Sequence, residues 1–226
     1  MTNKLRAILF DLDNTLLDFY TLKMSAIDAA LVAMKNAGLN ADMQIVRANL
    51  NELFKMHGWE HQQIFQLLLE KINSSSPKVL AAAIVAYRKE KAKHVQTYPQ
   101  VIPTLNELRK RGYKLGIVTD ADSLQGWIRL TELGLENMFD TVVTRDSTGI
   151  RKPNALPFQK AIEELTVKPE ETLHVGDWPA RDIAGAKAMN MKTALAKYGM
   201  SEKLKDDSII PDYILTKFED LLSIAR

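Results

Sequence analysis

The sequence of 226 residues contains no cysteine. Disulfides, thiolate metal sites, iron–sulfur clusters and cysteine nucleophiles are therefore all excluded, and the composition suits a reducing compartment. Long apolar runs are missing too. The longest, residues 79–87, is far shorter than the roughly 20 residues of a membrane span, and the run at residues 7–10 is too short for a signal peptide. We therefore expect a cytoplasmic protein that does not enter a membrane.

An excess of charge of one sign is also missing. Lysine and arginine number 30 and the acidic residues 28, a net charge of +2, so the sequence has no electrostatic footprint for nucleic acid or for an acidic membrane surface. Hydrophobic residues make up 46% of the chain, which is enough to bury a sizeable core. At about 150 residues per domain, the length allows one to two domains.

Two patterns divide the chain. Residues 7–10 form an apolar run typical of a strand that is buried on both faces of a parallel sheet. Helical patterns follow, and from residue 103 onward predicted strands alternate with helices. The first group of helices is predicted over residues 19–37, 43–57, 62–72 and 77–96. The later strands are predicted over residues 114–119, 141–144, 172–175, 193–196 and 213–215, and the later helices over residues 103–111, 123–133, 155–165, 182–189 and 218–224.

These patterns predict an α/β protein. Alternating strands and helices favour a doubly wound, Rossmann-like parallel sheet, formed here by residues 1–16 and 98–226. Residues 17–97 show helical patterns only. A block of this length after a single strand indicates an inserted domain, which we expect to be an all-helical cap domain.

Polar residues collect just past the ends of the predicted strands and in one nearby loop. Because the carboxyl ends of parallel strands meet at one edge of a sheet, we expect their side chains to converge there. They are Asp11, Asp13, Thr119, Asp120, Lys152, Asp177 and Asp182. Carboxylates in one crevice repel one another unless a cation neutralises them. Since the ligands on offer are oxygen atoms, Mg²⁺ is the expected ion.

The spacing of Asp11 and Asp13 suits a reaction in two steps. A loop that leaves a strand can turn so that side chains two residues apart face the same space. One carboxylate can attack phosphorus and form an aspartyl-phosphate, and the other can protonate the leaving oxygen and later deprotonate water. A lysine and a threonine can hold the phosphoryl oxygens, where charge lies in the transition state.

Four segments, taken in order, resemble the motifs of the haloacid-dehalogenase superfamily of phosphohydrolases. The segments are residues 10–15 (FDLDNT), 117–120 (IVTD), 151–153 (RKP) and 175–182 (VGDWPARD). The resemblance spans essentially the whole chain. A helical insert between the first two motifs is what the helical-cap, phosphoglycolate phosphatase-like subfamily carries.

The resemblance implies roles for the aspartates that match the motifs. Asp11 would be the nucleophile and a Mg²⁺ ligand. Asp13 would be the general acid and base, and it would offer its backbone carbonyl to the metal. Asp177 would be a further Mg²⁺ ligand.

Binding and supporting roles are implied in the same way. Thr119 would bind phosphoryl oxygens, and Lys152 would bridge the phosphoryl group and the nucleophile. Asp182 would support Lys152 or a metal-bound water, and Thr15 would orient the first loop. Asp120 stands where many relatives have asparagine. We group it with the substrate-binding residues and leave its role open.

The activity implied by the resemblance is that of a Mg²⁺-dependent phosphoric monoester hydrolase. Its substrate would be a small phosphorylated metabolite such as a triose phosphate, phosphoglycolate or a sugar phosphate. A phosphosugar mutase remains open, whereas a haloacid dehalogenase needs no second acid, so Asp13 argues against it. The alternative that is not an enzyme is a receiver-like signalling domain, which the helical insert fits poorly. Both a monomer and a homodimer remain open.

Three further features carry weaker expectations. Residues 57–61 (HGWEH) match a His-x-x-Glu-His zinc pattern, but Gly58 falls where a helix is predicted to end, and a zinc site needs both histidines on one helical face. His174 is expected to be a core histidine. Candidates for substrate specificity lie in the cap, namely Phe19, Tyr20, Lys23, His57, Trp59 and His61.

Overall fold

The computed structural model describes residues 4–225, and these divide into two compact units. One unit contains the chain up to Phe19 and from Val95 onward, and the other is Tyr20–His94. These boundaries lie three residues inside the predicted insert of residues 17–97. Leu17 forms β-bridges with Asp13 and with Thr97, so both ends of the predicted insert are tied to the first unit.

Six strands form one parallel sheet in the described part of the chain, in the order β3-β2-β1-β4-β5-β6. They are β1 (Ala7–Phe10), β2 (Lys114–Val118), β3 (Thr141–Val143), β4 (Thr172–Gly176), β5 (Lys192–Ala196) and β6 (Tyr213–Leu215). The chain enters at the centre, adds two strands on one side and then three on the other, which is the doubly wound arrangement. The predicted fold class is confirmed.

The register places the ends of the three central strands side by side. Phe10 is the partner of Ile117 in β2 and of Val175 in β4. All four residues of β1 are fully buried, as expected for a central strand of a parallel sheet. The loops that leave β1, β2 and β4 therefore start at one edge of the sheet.

Ten α-helices lie within residues 4–225. They are α1 (Phe19–Asn36), α2 (Met43–His57), α3 (Ile64–Lys71), α4 (Pro77–His94), α5 (Val101–Lys110), α6 (Ser123–Glu132), α7 (Arg145–Thr148), α8 (Ala155–Leu165), α9 (Ala184–Ala188) and α10 (Leu221–Ile224).

Several of these helices differ from the prediction by two residues or more at one end, and α7 was not predicted. α5 begins two residues earlier than predicted, because Pro103 is tolerated in the first turn of a helix, where a backbone N–H has no partner within the helix. The segment predicted as a helix over residues 182–189 begins instead with a π-helical turn, Pro179–Ile183, which leads into α9. No helix was predicted at α7, because its four residues are too few to show a period.

Each unit has an apolar core of its own. In the first unit, α8 packs on the sheet, and the cluster includes Leu9, Val118, Val143, Phe158 and Leu165. In Tyr20–His94, all four helices contribute buried side chains, among them Met34, Leu50, Leu68 and Val79. Among residues 4–225, none of the helices combines the length and the apolar character needed to cross a membrane.

Truncating Leu50, which is fully buried in α2, tests the core of the helical unit. We expect Leu50→Ala to lower the free energy of unfolding by about 2–5 kcal/mol, because it leaves a cavity. The matched control is Ile45→Ala in the same helix, which removes three carbon atoms from a side chain that is 59% exposed, and we expect a change below about 0.5 kcal/mol. Urea denaturation followed by circular dichroism measures both, and similar losses would contradict this placement of the core.

Candidate active site

The site lies at the carboxyl edge of β2, β1 and β4, where strand order reverses. Asp11 is the first residue after β1, and its backbone N–H donates to the carbonyl oxygen of Val175 at 2.8 Å. The backbone N–H of Thr119 donates to the carbonyl oxygen of Val143 at 3.0 Å. Because the main chain of both residues is bonded to a neighbouring strand, both side chains leave the sheet from fixed positions.

The ammonium group of Lys152 is the centre of the site. Its Nζ donates to Oδ1 of Asp11 at 2.6 Å, to Oδ1 of Asp182 at 2.7 Å and to the carbonyl oxygen of Val118 at 2.8 Å. An ammonium group has three N–H donors, and all three have acceptors within the protein. Contact with a substrate oxygen therefore requires one of these hydrogen bonds to be shared.

Three buried carboxylates surround this single cation. Asp11, Asp177 and Asp182 each offer an oxygen within 4.8 Å of the others. Burial raises the pKa of Asp11 to about 7, although the charge of Lys152 acts in the opposite direction. Burial and the charges of Asp11 and Asp182 raise the pKa of Asp177 well above its usual range. The site is therefore short of positive charge.

Asp182 is the best satisfied of the three acids. Besides Lys152, its Oδ1 accepts from Nε2 of His174 at 3.2 Å, and its Oδ2 accepts from the backbone N–H of Trp178 at 3.0 Å. Burial alone would raise the pKa of Asp182, but the charge of Lys152 and these hydrogen bonds outweigh it and keep the pKa below its usual range. A Cβ atom on Gly176 would lie 2.3 Å from Cγ of Asp182, so glycine is required there.

His174 lies in the core, as expected, but it also contacts the site. It is fully buried in β4, and burial lowers the pKa of its imidazole. The ring is therefore neutral, and it must donate from Nε2 because its partner, Asp182, accepts. Its Nδ1 has no hydrogen-bond partner among residues 4–225. The sequence signal for this contact was a histidine inside an otherwise apolar strand directly before the fourth motif.

Asp13 and the two threonines make separate contacts. Oδ1 of Asp13 lies 3.2 Å from Nε of Arg129. The hydroxyl of Thr119 accepts from the backbone N–H of Ala121 at 3.2 Å. Thr15 was expected to orient the first loop. Its carbonyl oxygen accepts from the hydroxyl of Tyr198 at 2.8 Å, whereas its own hydroxyl is buried without a hydrogen-bond partner in the described part of the chain.

Asp120 joins three of the motif segments. Its Oδ1 accepts from the backbone N–H of Lys152 at 3.0 Å, and its Oδ2 accepts from Nη1 of Arg181 at 2.8 Å. The guanidinium of Arg181 stacks on Trp178, with its carbon 3.8 Å from the ring centre. Both carboxylate oxygens are therefore engaged within the protein, and the second motif is tied to the third and the fourth. Sequence reasoning missed Arg181, although it lies inside the fourth motif.

The histidine pattern at residues 57–61 does not form a metal site of the zinc-protease type. α2 ends at His57, and Gly58 has φ +85°, so the two histidines do not share one helix. Their rings lie 5.1 Å apart. Among residues 4–225, the one group of three or more possible metal ligands is Asp11, Asp177 and Asp182.

Fold and site together define a doubly wound α/β protein with a carboxylate–lysine centre at the point where strand order reverses. The family model of haloacid dehalogenase-like hydrolases matches residues 8–196, and the chain belongs to this family. The resemblance of the four motifs is thereby confirmed.

Similar proteins cover nearly the full chain. A glyceraldehyde 3-phosphate phosphatase of Methanopyrus kandleri is 37% identical in an alignment of 227 positions that covers 98% of this chain and 97% of that protein. A HAD phosphatase from Thermococcus onnurineus superimposes with a TM-score of 0.71 at 27% identity over 97% of both chains. The HAD-hydrolase YfnB from Bacillus subtilis, bound to magnesium, superimposes with a TM-score of 0.71 at 25% identity over 99% of this chain and 100% of that one.

Neutralising Asp177 tests the shortage of positive charge. In metal-free protein at pH 8, we expect Asp177→Asn to raise the free energy of unfolding by about 1–3 kcal/mol, because asparagine keeps the shape and removes one of three buried charges. The pKa of Asp177 is raised in the folded state, so this carboxyl becomes protonated as the pH falls. The gain should therefore shrink between pH 8 and pH 5. Thermal denaturation in EDTA measures it.

The matched control for this variant is Glu136→Gln on the exposed surface. We expect it to change the free energy of unfolding by less than about 0.5 kcal/mol at either pH. A loss of stability in Asp177→Asn at pH 8 would show that the carboxylates are already balanced.

Proposed function

We propose that the protein is a Mg²⁺-dependent phosphatase that hydrolyses a small phosphorylated metabolite through an aspartyl-phosphate on Asp11. The observation that carries the proposal is the buried contact between Asp11 and Lys152. It fixes one carboxylate at the edge of the sheet, with a second acid, Asp13, two residues further on. Membership of the hydrolase family and the names of the similar phosphatases support the same reading.

In the proposed first step, a carboxylate oxygen of Asp11 attacks phosphorus and the bond to the ester oxygen breaks. Asp13 gives its proton to that oxygen, so the product leaves as an alcohol. In the second step, Asp13 takes a proton from water, which attacks phosphorus and frees Asp11 and inorganic phosphate. Thr119 and Lys152 are proposed to stabilise the negative charge on the phosphoryl oxygens.

The metal is proposed to bind through carboxylates of Asp11 and Asp177 and the backbone carbonyl of Asp13. The donor set fits, because all donors are oxygen atoms and the cluster of carboxylates carries more negative charge than Lys152 balances. Asp182 is assigned to Lys152 instead, because its oxygens already accept three hydrogen bonds. Bound Mg²⁺ supplies the charge that lets an anionic nucleophile approach an anionic phosphoryl group.

The substrate is proposed to be a triose phosphate, with D-glyceraldehyde 3-phosphate as the first compound to test. The support is the name of the Methanopyrus kandleri relative, which is similar along almost its whole length. The unit Tyr20–His94 is proposed to act as a cap that sets specificity. Within this unit, Lys23 is buried and donates to the hydroxyl of Tyr87 at 2.9 Å, while Trp59 is half exposed.

Phosphate release is the direct test of the activity. Purified protein with Mg²⁺ is expected to release inorganic phosphate from D-glyceraldehyde 3-phosphate and from p-nitrophenyl phosphate. Asp11→Asn should lower the rate by at least about 10³-fold, because it removes the nucleophile. The control Asp207→Asn, at an exposed acid, should keep wild-type activity. No release from any compound in a broad panel of phosphorylated metabolites would contradict the proposal, and halide release from a haloacid would favour the dehalogenase.

The dependence of Mg²⁺ binding on pH tests the metal site separately. We expect Mg²⁺ to raise the melting temperature more at pH 8 than at pH 5.5. The pKa of Asp11 is about 7 and that of Asp177 is also raised, so at the lower pH protons compete with the metal. The pKa of Asp182 lies below its usual range, so this carboxyl group stays ionised between pH 5.5 and pH 8. A stabilisation that is equal at both pH values, or that survives in Asp177→Asn, would contradict this set of ligands.

A further inference from the structure

An arginine outside the four motifs contacts the second aspartate of the first motif. Arg129, on α6, places Nε 3.2 Å from Oδ1 of Asp13. Its side chain is only 5% exposed. A buried guanidinium group is uncommon, because arginine is almost never fully buried unless it is paired. Nothing in the pattern of the sequence predicted this contact.

Arg129 is held in place from two directions. Its guanidinium carbon lies 4.3 Å from the centre of the Phe19 ring, a stacking contact that arginine favours. Gly126 and Leu130 are buried on the same side of α6, so the backbone that carries the arginine is packed. The guanidinium stays charged at every working pH, and Asp13 supplies a negative partner.

Asp13 is more exposed than Arg129. It lies in the loop after β1, and its side chain is 24% exposed. A carboxylate with this exposure has several rotamers available. Acid–base catalysis tolerates few of them, because a proton passes only over hydrogen-bond distance, about 2.6–3.2 Å between heavy atoms.

We propose that Arg129 is the positioning residue for Asp13. The contact of the guanidinium with Oδ1 selects the rotamer of Asp13 in both protonation states, because a protonated carboxyl still accepts at one oxygen while the other oxygen carries the proton. From this rotamer Asp13 reaches the leaving oxygen in the first step and water in the second. Arg129 acts through Asp13 and has no contact of its own with the reacting atoms. The inference rests on the proposed function, in which Asp13 is the general acid and base.

The test compares two substrates that differ in their need for an acid. The p-nitrophenolate ion leaves without a proton, whereas the alkoxide of D-glyceraldehyde 3-phosphate needs one. The value of kcat/KM reports the step that forms the aspartyl-phosphate, in which Asp13 gives its proton. We expect Arg129→Met to lower kcat/KM about 10²-fold for the triose phosphate and by no more than about tenfold for p-nitrophenyl phosphate. Arg129→Lys keeps the charge and should recover part of the loss.

A double-mutant cycle shows whether the effect passes through Asp13. In an Asp13→Asn background, Arg129→Met should lower kcat/KM by less than about twofold further. The matched control is Arg6→Met, which breaks an ion pair with Glu171 outside the site. It should leave kcat/KM for both substrates within about twofold of wild type.

Two results would overturn the inference. One is an equal loss for both substrates, which is what a merely structural arginine predicts. The other is a full additional loss in the Asp13→Asn background, which is what direct substrate binding predicts. If Arg129→Met does not fold, Arg129→Lys decides by the same two criteria. Wild-type protein that releases no phosphate contradicts the proposed function, whereas active wild-type protein with additive losses contradicts this inference alone.

Discussion

One buried ammonium group is the interaction on which the rest of the site depends. Lys152 holds carboxylates from two motif loops and the carbonyl oxygen that ends β2. These contacts form only if β2, β1 and β4 are neighbours, because each strand delivers one of the loops. The doubly wound order satisfies this condition, since the chain enters the sheet at its centre and builds outward on both sides.

The loop after β5 supplies none of the motif aspartates, yet it fixes the position of the first motif. A Cβ atom on Gly199 would lie 1.6 Å from the backbone oxygen of Asn14. The obstacle is main chain, which does not rotate away, so only glycine fits. The hydroxyl of the preceding residue, Tyr198, donates to the carbonyl oxygen of Thr15. Through these two contacts the loop packs against the segment that carries Asp11 and Asp13. The positions of these two acids therefore depend on a loop that lies about 180 residues further along the chain.

Local signals sufficed for the parts of the molecule that have a period or a fixed spacing. The apolar run at residues 7–10 marked β1, and the spacing of Asp11 and Asp13 marked the edge where the acids meet. Local signals failed for the pairings of Arg129 and Arg181, and for His174 they indicated a core position but not its partner. Each of these acts by pairing with an acid that the fold brings to it, and an arginine that will be buried looks in sequence like one on the surface. The unpredicted contacts are therefore pairings made by tertiary packing.

These pairings divide the acids by their surroundings. Asp120 has Arg181 and Asp13 has Arg129, whereas Asp11 and Asp182 share Lys152, and Asp177 lies within 4.8 Å of both. Identical carboxyl groups acquire different chemistry when their environments differ. The group of carboxylates that lacks positive charge is the one that favours a divalent cation. The carboxylate of Asp13 is not part of this group, because the guanidinium of Arg129 lies beside it. Asp11 and Asp13 lie only two residues apart, yet their carboxyl groups face different cations, Lys152 and Arg129.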